Sequence, residues 1–219
     1  MSEKAGRAIT PRRLARMREV LERRQPDLTV VIENVHDPFN ASALLRSCDA
    51  VGISDVHLVY TVEAEPEVSL GVSASARRWL TLHRHQSIED CYTTLRERGF
   101  TIYATYLGED AQNLYDLDLT GPSAFVFGNE ARGVTPEAKA GADVAAILPM
   151  MGMVESLNIS AACAVTLYEA LRQRQRAGRY ASPTWPPDEI ERRLRAWLER
   201  EGRDVDAALS QHDTAHTGA

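Results

Sequence analysis

Three polar clusters, each following an apolar run, hold the residue types in this chain that could do chemistry. The first is "ENVHDPFNASALLRS", with Asn34 near its start, Asn40 in the middle and Arg46 nearly two helical turns further on. A guanidinium offers a planar fork of donors that suits a phosphate or a developing oxyanion. Arg46 stands among Ala43, Leu44, Leu45 and Cys48, so its surroundings read as partly apolar and the charge needs a partner or a task. Asn40 reads equally as a helix cap or a site residue. The second cluster is "FVFGNEARGVTPE". Gly128 directly after an apolar run, and Gly133 five residues later, suit a loop whose backbone amides approach a ligand closely. Glu130 in that loop either accepts hydrogen bonds from a ligand or fixes the turn. The Lys-Ser/Thr of a phosphate loop is missing and GxGxxG is not matched, which disfavours nucleoside-triphosphate and dinucleotide chemistry. The third is "LPMMGMVESLN", an apolar loop with Gly152 ahead of Ser156 and Asn158, able to lay backbone against a flat ring. Ser156 also suits an N-cap, and Ala161, Ala162 and Ala164 beyond it read as close core packing.

Positioning these clusters takes a frame of alternating strands and helices. "LTVVIENV", "DVHLVY", "TLHRH", "FTIYATYL", "SAFVFG" and "DVAAILPM" read as strands. "NASALLRSCDAVG", "SIEDCYTTLRERG", "TPEAKAGA" and the helix after Asn158 lie between or after them. That alternation predicts an α/β fold with a mostly parallel sheet flanked by helices. The clusters then fall at the carboxyl ends of strands, where open α/β sheets collect ligands. Residues 1–26 form a basic helical extension, with Thr10-Pro11 opening a helix over 11–24. Residues 27–178 are the main domain, 179–203 a helical arm with a helix over 188–201, and 204–219 a polar tail expected to be disordered.

The net charge of −6 opposes nucleic-acid binding, but the distribution favours it. Lys4 and Lys139 are the only lysines, and arginines crowd the first segment, residues 172–179 and the last helix. Interleaved glutamates leave open the reading that these are solvated helix faces. Cys48, Cys91 and Cys163 show no pairing or metal spacing, which fits a reducing compartment. His83 and His85 alternate along one strand without a carboxylate or cysteine partner at ligand spacing, so no metal site is expected. With no apolar segment of signal-peptide or membrane-spanning length, the chain reads as cytoplasmic, without a membrane partner.

Taken in order, "NVHDPFNASALLRSCDAVG", "FVFGNEARGVTPE" and "ILPMMGMVESLNISAACAVTLYEA" resemble the three motifs of the SPOUT superfamily of RNA methyltransferases, in the branch that methylates ribose 2′-hydroxyls. The flanks "RRQPDLTVVIENV" and "RQRQRAGRY" make the bacterial tRNA (guanosine-18) 2′-O-methyltransferases the most similar group. The resemblance implies a sheet with a C-terminal trefoil knot, a homodimer, S-adenosylmethionine as cofactor and tRNA as substrate. It implies catalytic roles for Arg46, Asn40, Glu130, Ser156 and Asn158. It places the cofactor against Thr105, Gly128, Gly133, Ile147, Leu148, Met150 and Leu157, and the tRNA backbone against Arg16, Arg172 and Arg174. Two departures stand out: Phe39 replaces a polar residue of some relatives, and "ASPTWPPDE" is less basic than related arms. Rival expectations are ribose methylation of ribosomal RNA or another tRNA position, and a non-catalytic RNA-binding protein.

Overall fold

The structure, a computed structural model, describes residues 8–66 and 74–216. Residues 1–7 of the expected N-terminal extension and 217–219 of the expected tail lie outside it. The chain divides into two units, residues 25–179 and a second made of the two ends of the chain.

In the larger unit the elements run β1 Leu28–Glu33, α2 Pro38–Ala50, β2 Asp55–Val59, α3 Ala74–Arg77, β3 Thr81–His85, α4 Ile88–Glu97, β4 Thr101–Thr105, β5 Gln112–Asn113, β6 Ser123–Phe127, α5 Pro136–Gly141, β7 Val144–Ile147 and α6 Ile159–Arg176. Helix α1, Pro11–Glu22, precedes them. Among the described residues seven strands form one parallel sheet in the order β3-β2-β1-β6-β4-β7-β5. Central β1 is buried along its whole length, as a strand covered on both faces must be. Val30 and Ile32 face one way, packing with Leu44, Leu45 and Cys48 of α2 and with Cys163, Leu167 and Ala170 of α6. Val31 faces the other, packing with Ile88, Cys91, Tyr92 and Leu95 of α4 and Ala138 of α5. Local signals start and stop the helices. Ser87 Oγ accepts the Asp90 N–H at the start of α4, and Gly99 follows its end with φ +79°. The sequence did not anticipate α3, β5 or the 3-10 turn Leu114–Asp116; each is too short to show a period.

The smaller unit joins α1 to α7, Pro187–Arg200, and α8, Val205–His216. Leu14, Met17 and Leu21 of α1 are buried, as are Ile190, Leu194, Trp197 and Leu198 of α7. The arginines counted as a basic face are largely paired inside the unit. Arg13 binds Glu201, Arg18 Nη2 lies 3.0 Å from Glu191 Oε2, and the Arg24 guanidinium stacks on Trp197 at 5.2 Å. The tail expected to be disordered from residue 204 is helical as far as His216. Asp204 Oδ1 caps it by accepting the Ala207 N–H, and Ala208 is buried, giving the segment a start and an apolar contact. No helix among the described residues is long and apolar enough to cross a membrane.

Candidate active site

The carboxyl ends of β4, β6 and β7 open into a cavity of about 600 Å³. Thr105, Phe127 and Ile147 line it from the strand ends. Residues 128–134 form one wall, and Leu148, Met150 and residues 155–158 another. Gly128, Gly133, Leu148, Met150 and Leu157 all contribute, so the expected cofactor residues come together around one space.

The 128–134 wall is built from backbone. Asn129 N donates to Gly133 O at 2.9 Å and Gly133 N to Asn129 O at 2.8 Å, with Gly133 at φ +68°. Asn129 Oδ1 accepts the N–H of Ala131 and Arg132. The turn is so tight that a Cβ on Gly128 would stand 2.3 Å from the Gly133 carbonyl and Val134 N, so residue 128 must be glycine.

Three polar side chains tie the motif loops together. Glu130 Oε1 accepts from Asp37 N at 3.1 Å and from Asn40 Nδ2 at 3.0 Å, while Oε2 accepts from His36 N at 3.1 Å. Burial opposes ionisation of this carboxyl, but the Asn40 amide and the backbone donors outweigh it and hold the group below the usual carboxylate range. Asn158 Nδ2 donates to Asn40 Oδ1 at 3.2 Å, and Asn158 Oδ1 accepts from Ser160 N and Oγ at 2.8 and 2.6 Å. Asn158 is therefore the cap of α6, and Ser156 lies in the loop before it, lining the cavity. Nor is Asn40 the cap of α2. Asp37 takes that position, its Oδ1 accepting the Phe39 N–H, and Asn40 sits in the first turn with its amide turned to Glu130 and Asn158.

A further asparagine anchors the floor of this arrangement. Asn34 adopts φ +51°, and its Oδ1 accepts the N–H of Thr61, Val62 and Glu63 at 2.9–3.2 Å. Its carbonyl accepts from Asn129 Nδ2 at 2.9 Å. The loop after β2 is thereby pinned to the first two motifs, and the Arg132–Glu63 ion pair adds a second tie.

Other expectations need correction. Arg46 is exposed on α2 rather than half-immersed in the core, and it is not among the residues lining the cavity. Ala162 packs against the core as expected, but Ala161 is exposed and Ala164 only half-buried, and the core positions of α6 are Cys163, Leu167 and Ala170. Arg16 is exposed and paired with Glu19 Oε2 at 2.7 Å. Arg172 is half-exposed and grips Glu169 with both Nε and Nη2. Arg174, expected on an RNA face, is 0% exposed. Its Nε donates to Leu119 O at 3.0 Å, Nη1 to Asp27 Oδ1 at 2.7 Å and Gln25 Oε1 at 3.3 Å, and Nη2 to the carbonyls of Asp27 and Gly121. Every side of the guanidinium is engaged, so it fastens the fold and offers nothing to a phosphate.

Sequence reasoning missed several lining residues: Tyr106, Leu107, Arg132, Lys139, Glu155 and Thr166. Tyr106 and Leu107 carried a usable signal, because they follow Thr105 at the same strand end. Lys139 did not; it reaches the site from α5, with Nζ 5.1 Å from the Tyr106 ring centre.

Comparison with known proteins bears on this geometry. The SpoU rRNA Methylase family matches residues 27–168. A tRNA (guanosine(18)-2'-O)-methyltransferase of Thermus thermophilus is 47% identical over 194 residues, covering 89% of this chain and all of that one. The solved A. aeolicus TrmH/SpoU tRNA modifying enzyme superposes with a TM-score of 0.82 at 36% identity, covering 88% of this chain and 98% of that one. The SpoU methyltransferase AviRb of Streptomyces viridochromogenes, solved in complex with the cofactor AdoMet, gives a TM-score of 0.61 at 26% identity, covering 71% and 62%.

Proposed function

Since this chain belongs to the SpoU methylase family, we propose that it methylates the ribose 2′-hydroxyl of guanosine 18 in tRNA, with S-adenosylmethionine as donor, as a cytoplasmic homodimer. The observation that carries this reading is the cavity at the strand ends, into which all seven expected cofactor residues converge. Its volume suits a nucleoside-sized ligand. Its 128–134 wall is backbone packed too closely for a side chain at residue 128, the kind of surface that lets a flat ring lie against amides and carbonyls. The donor supplies an electrophilic methyl group, so the hard chemistry resides there.

What remains for the chain is alignment and charge. Positioning of this kind is worth on the order of 7–11 kcal/mol in favourable cases. The Glu130–Asn40–Asn158 chain sets the start of α2 against the start of α6 and so fixes where Arg46 stands on α2. Arg46 presents its guanidinium at the exposed surface, where an incoming RNA meets it. There it grips the phosphate beside the target ribose and stabilises charge developing on the 2′-oxygen. Guanidinium groups in proteins stay protonated, which favours this charge-holding part over that of a general base. Ser156, at the cavity wall, orients the ribose. Exposed Arg16 and half-exposed Arg172 serve as tRNA backbone contacts.

The dimer reading rests on exposed apolar surface beside the cavity. Met151 is 94% and Met153 100% exposed, Val154 and Tyr168 are exposed too, and Ala161, Ala164 and Tyr168 share a stripe of α6. A second copy would cover this surface.

The test is nucleoside mapping of bulk tRNA after incubation with labelled donor. Label should appear as 2′-O-methylguanosine at position 18, and label elsewhere in tRNA or only in ribosomal RNA refutes the assignment. Arg46→Ala should lower the methylation rate at least on the order of 10²-fold while donor binding persists; full activity removes Arg46 from the mechanism.

A further inference from the structure

The edge of the sheet farthest from β5 carries a cluster that methyl transfer does not use. In the β2–β3 register His57 lies opposite His83 and Val59 opposite His85, which puts all three imidazoles on one face. The His83 and His85 rings stack on His57 with centres 5.0 and 5.1 Å away. Helix α4 packs on that face and brings Cys91 to it. One ring nitrogen of His57, one of His85 and Cys91 Sγ all lie within 4.8 Å of one another. The cysteine that was missing at ligand spacing along the chain is supplied by the fold.

Burial turns the cluster from a coincidence of types into a candidate site. His57 is 1% exposed and Cys91 0%. His57 Nδ1 lies 2.8 Å from His85 Nε2, but His57 Nε2 is buried with no hydrogen-bond partner. Whichever tautomer His57 takes, that atom is left as an unused lone pair or an undonated N–H, which buried groups rarely tolerate. His83 is committed elsewhere, with Nε2 2.7 Å from Asp55 Oδ1. We propose that His57, His85 and Cys91 bind a divalent transition-metal ion, zinc foremost, which fastens edge strand β3 and helix α4 to β2.

The donor set selects the ion. Imidazole and thiolate suit zinc, cobalt and copper, and exclude magnesium and calcium, which take oxygen. Metal–nitrogen bonds near 2.0–2.1 Å and a metal–sulfur bond near 2.3 Å set tetrahedral ligand atoms roughly 3.3–3.7 Å apart, a spacing that the 4.8 Å limit on these three atoms accommodates with small side-chain shifts. Half-buried His85 gives the ion an entry path and leaves room for water as a fourth ligand. A cysteine binds a metal as its thiolate, so the ion enters by displacing a proton. The S–H bond breaks, the sulfur–metal bond forms and the proton leaves to solvent. Arg98 near His57 opposes a cation, and Asp90 near His85 and Asp55 near His57 offset it. None of the three ligands lines the cavity at the strand ends, so the ion has a structural role.

The test uses the full chain without an affinity tag, stripped with a chelator and titrated with cobalt(II). One cobalt per chain should bind, with the near-ultraviolet charge-transfer absorption of a cobalt–thiolate bond. Zinc should bleach that band and raise the melting temperature. His85→Ala, at a half-exposed edge position, should melt like the stripped wild type yet bind cobalt at least tenfold more weakly. Should Cys91→Ser fail to fold, His85→Ala carries the test alone. A titration with no thiolate band, or a band of unchanged affinity in His85→Ala, overturns the proposal.

Discussion

The two ends of the parallel sheet are built on opposite principles, and helix α6 touches both. At the carboxyl ends of the strands its cap, Asn158, joins a chain of amides and a carboxylate around an open cavity, beside fully exposed Met153. At the amino ends its last turns carry Arg174, buried and bonded to residues 25–27 ahead of β1 and to 119–121 ahead of β6. Both ends use a guanidinium, a side-chain amide and a carboxylate. What separates them is whether the polar groups are saturated by the chain or left for something else. A buried charge that meets all its partners makes a rigid floor, and loops whose backbone faces a void make a site.

The sharpest way to break the contrast is at the floor. Arg174→Ala leaves the carbonyls of Asp27, Leu119 and Gly121 without their buried donor, while Arg179 still holds the Asp27 carboxylate, and should cost about 3–5 kcal/mol by denaturant unfolding. Its tRNA affinity, measured on the folded fraction, should keep the wild-type salt slope; a flattened slope would return Arg174 to the RNA face. Next comes the cavity wall. Gly128→Ala forces a methyl group into the Gly133–Val134 backbone and should cost about 1–3 kcal/mol. Calorimetry should show donor affinity reduced by about tenfold or more, by the same steric argument.

Smaller effects sharpen the comparison. Glu130→Gln must set an amide NH2 against one of the N–H groups of His36 or Asp37, or against the Asn40 amide. Exposure places that cost near the low end for a charged hydrogen bond, about 1 kcal/mol. The carboxyl is held low in the fold, so its contribution is complete above the ordinary carboxylate range and is lost as pH falls through the lower folded value. Melting curves of wild type and Glu130→Gln should therefore converge in acid. A gap independent of pH would assign the loss to shape rather than charge. Smallest is Arg172→Ala, which should weaken tRNA binding a few-fold and reduce the salt slope by about 1. Filter binding over a salt series decides it.

The strand ends and the three motif loops were legible because each loop follows an apolar run and carries glycine or amide residues in a recognisable order. The partners of those residues were not. Asn40 looked like a cap because asparagine is common there, and only the fold shows Asp37 taking that place and Glu130 lying 90 residues away yet 3.0 Å from its amide. Arg174 reads like Arg172, two positions apart in one basic stretch. Helical rotation turns one to solvent and the other onto the sheet floor, and no composition argument separates them. The tail from 204 misled through its polarity, because a single buried alanine and one aspartate cap suffice to seat a short helix. Cys91 stayed invisible as a neighbour of His57 because a helix, not a spacing, joins them.

The pairing of β1 with β6 also governs the order of assembly. Leu28 lies opposite Ser123 and Ile32 opposite Phe127, so the first strand made is completed by one nearly a hundred residues later. At ordinary translation speeds the ribosome needs roughly 5–20 s to cover that distance. Until then Val30 and Val31 lack half their ladder, and the nascent chain must be kept from pairing that bare edge with a stranger.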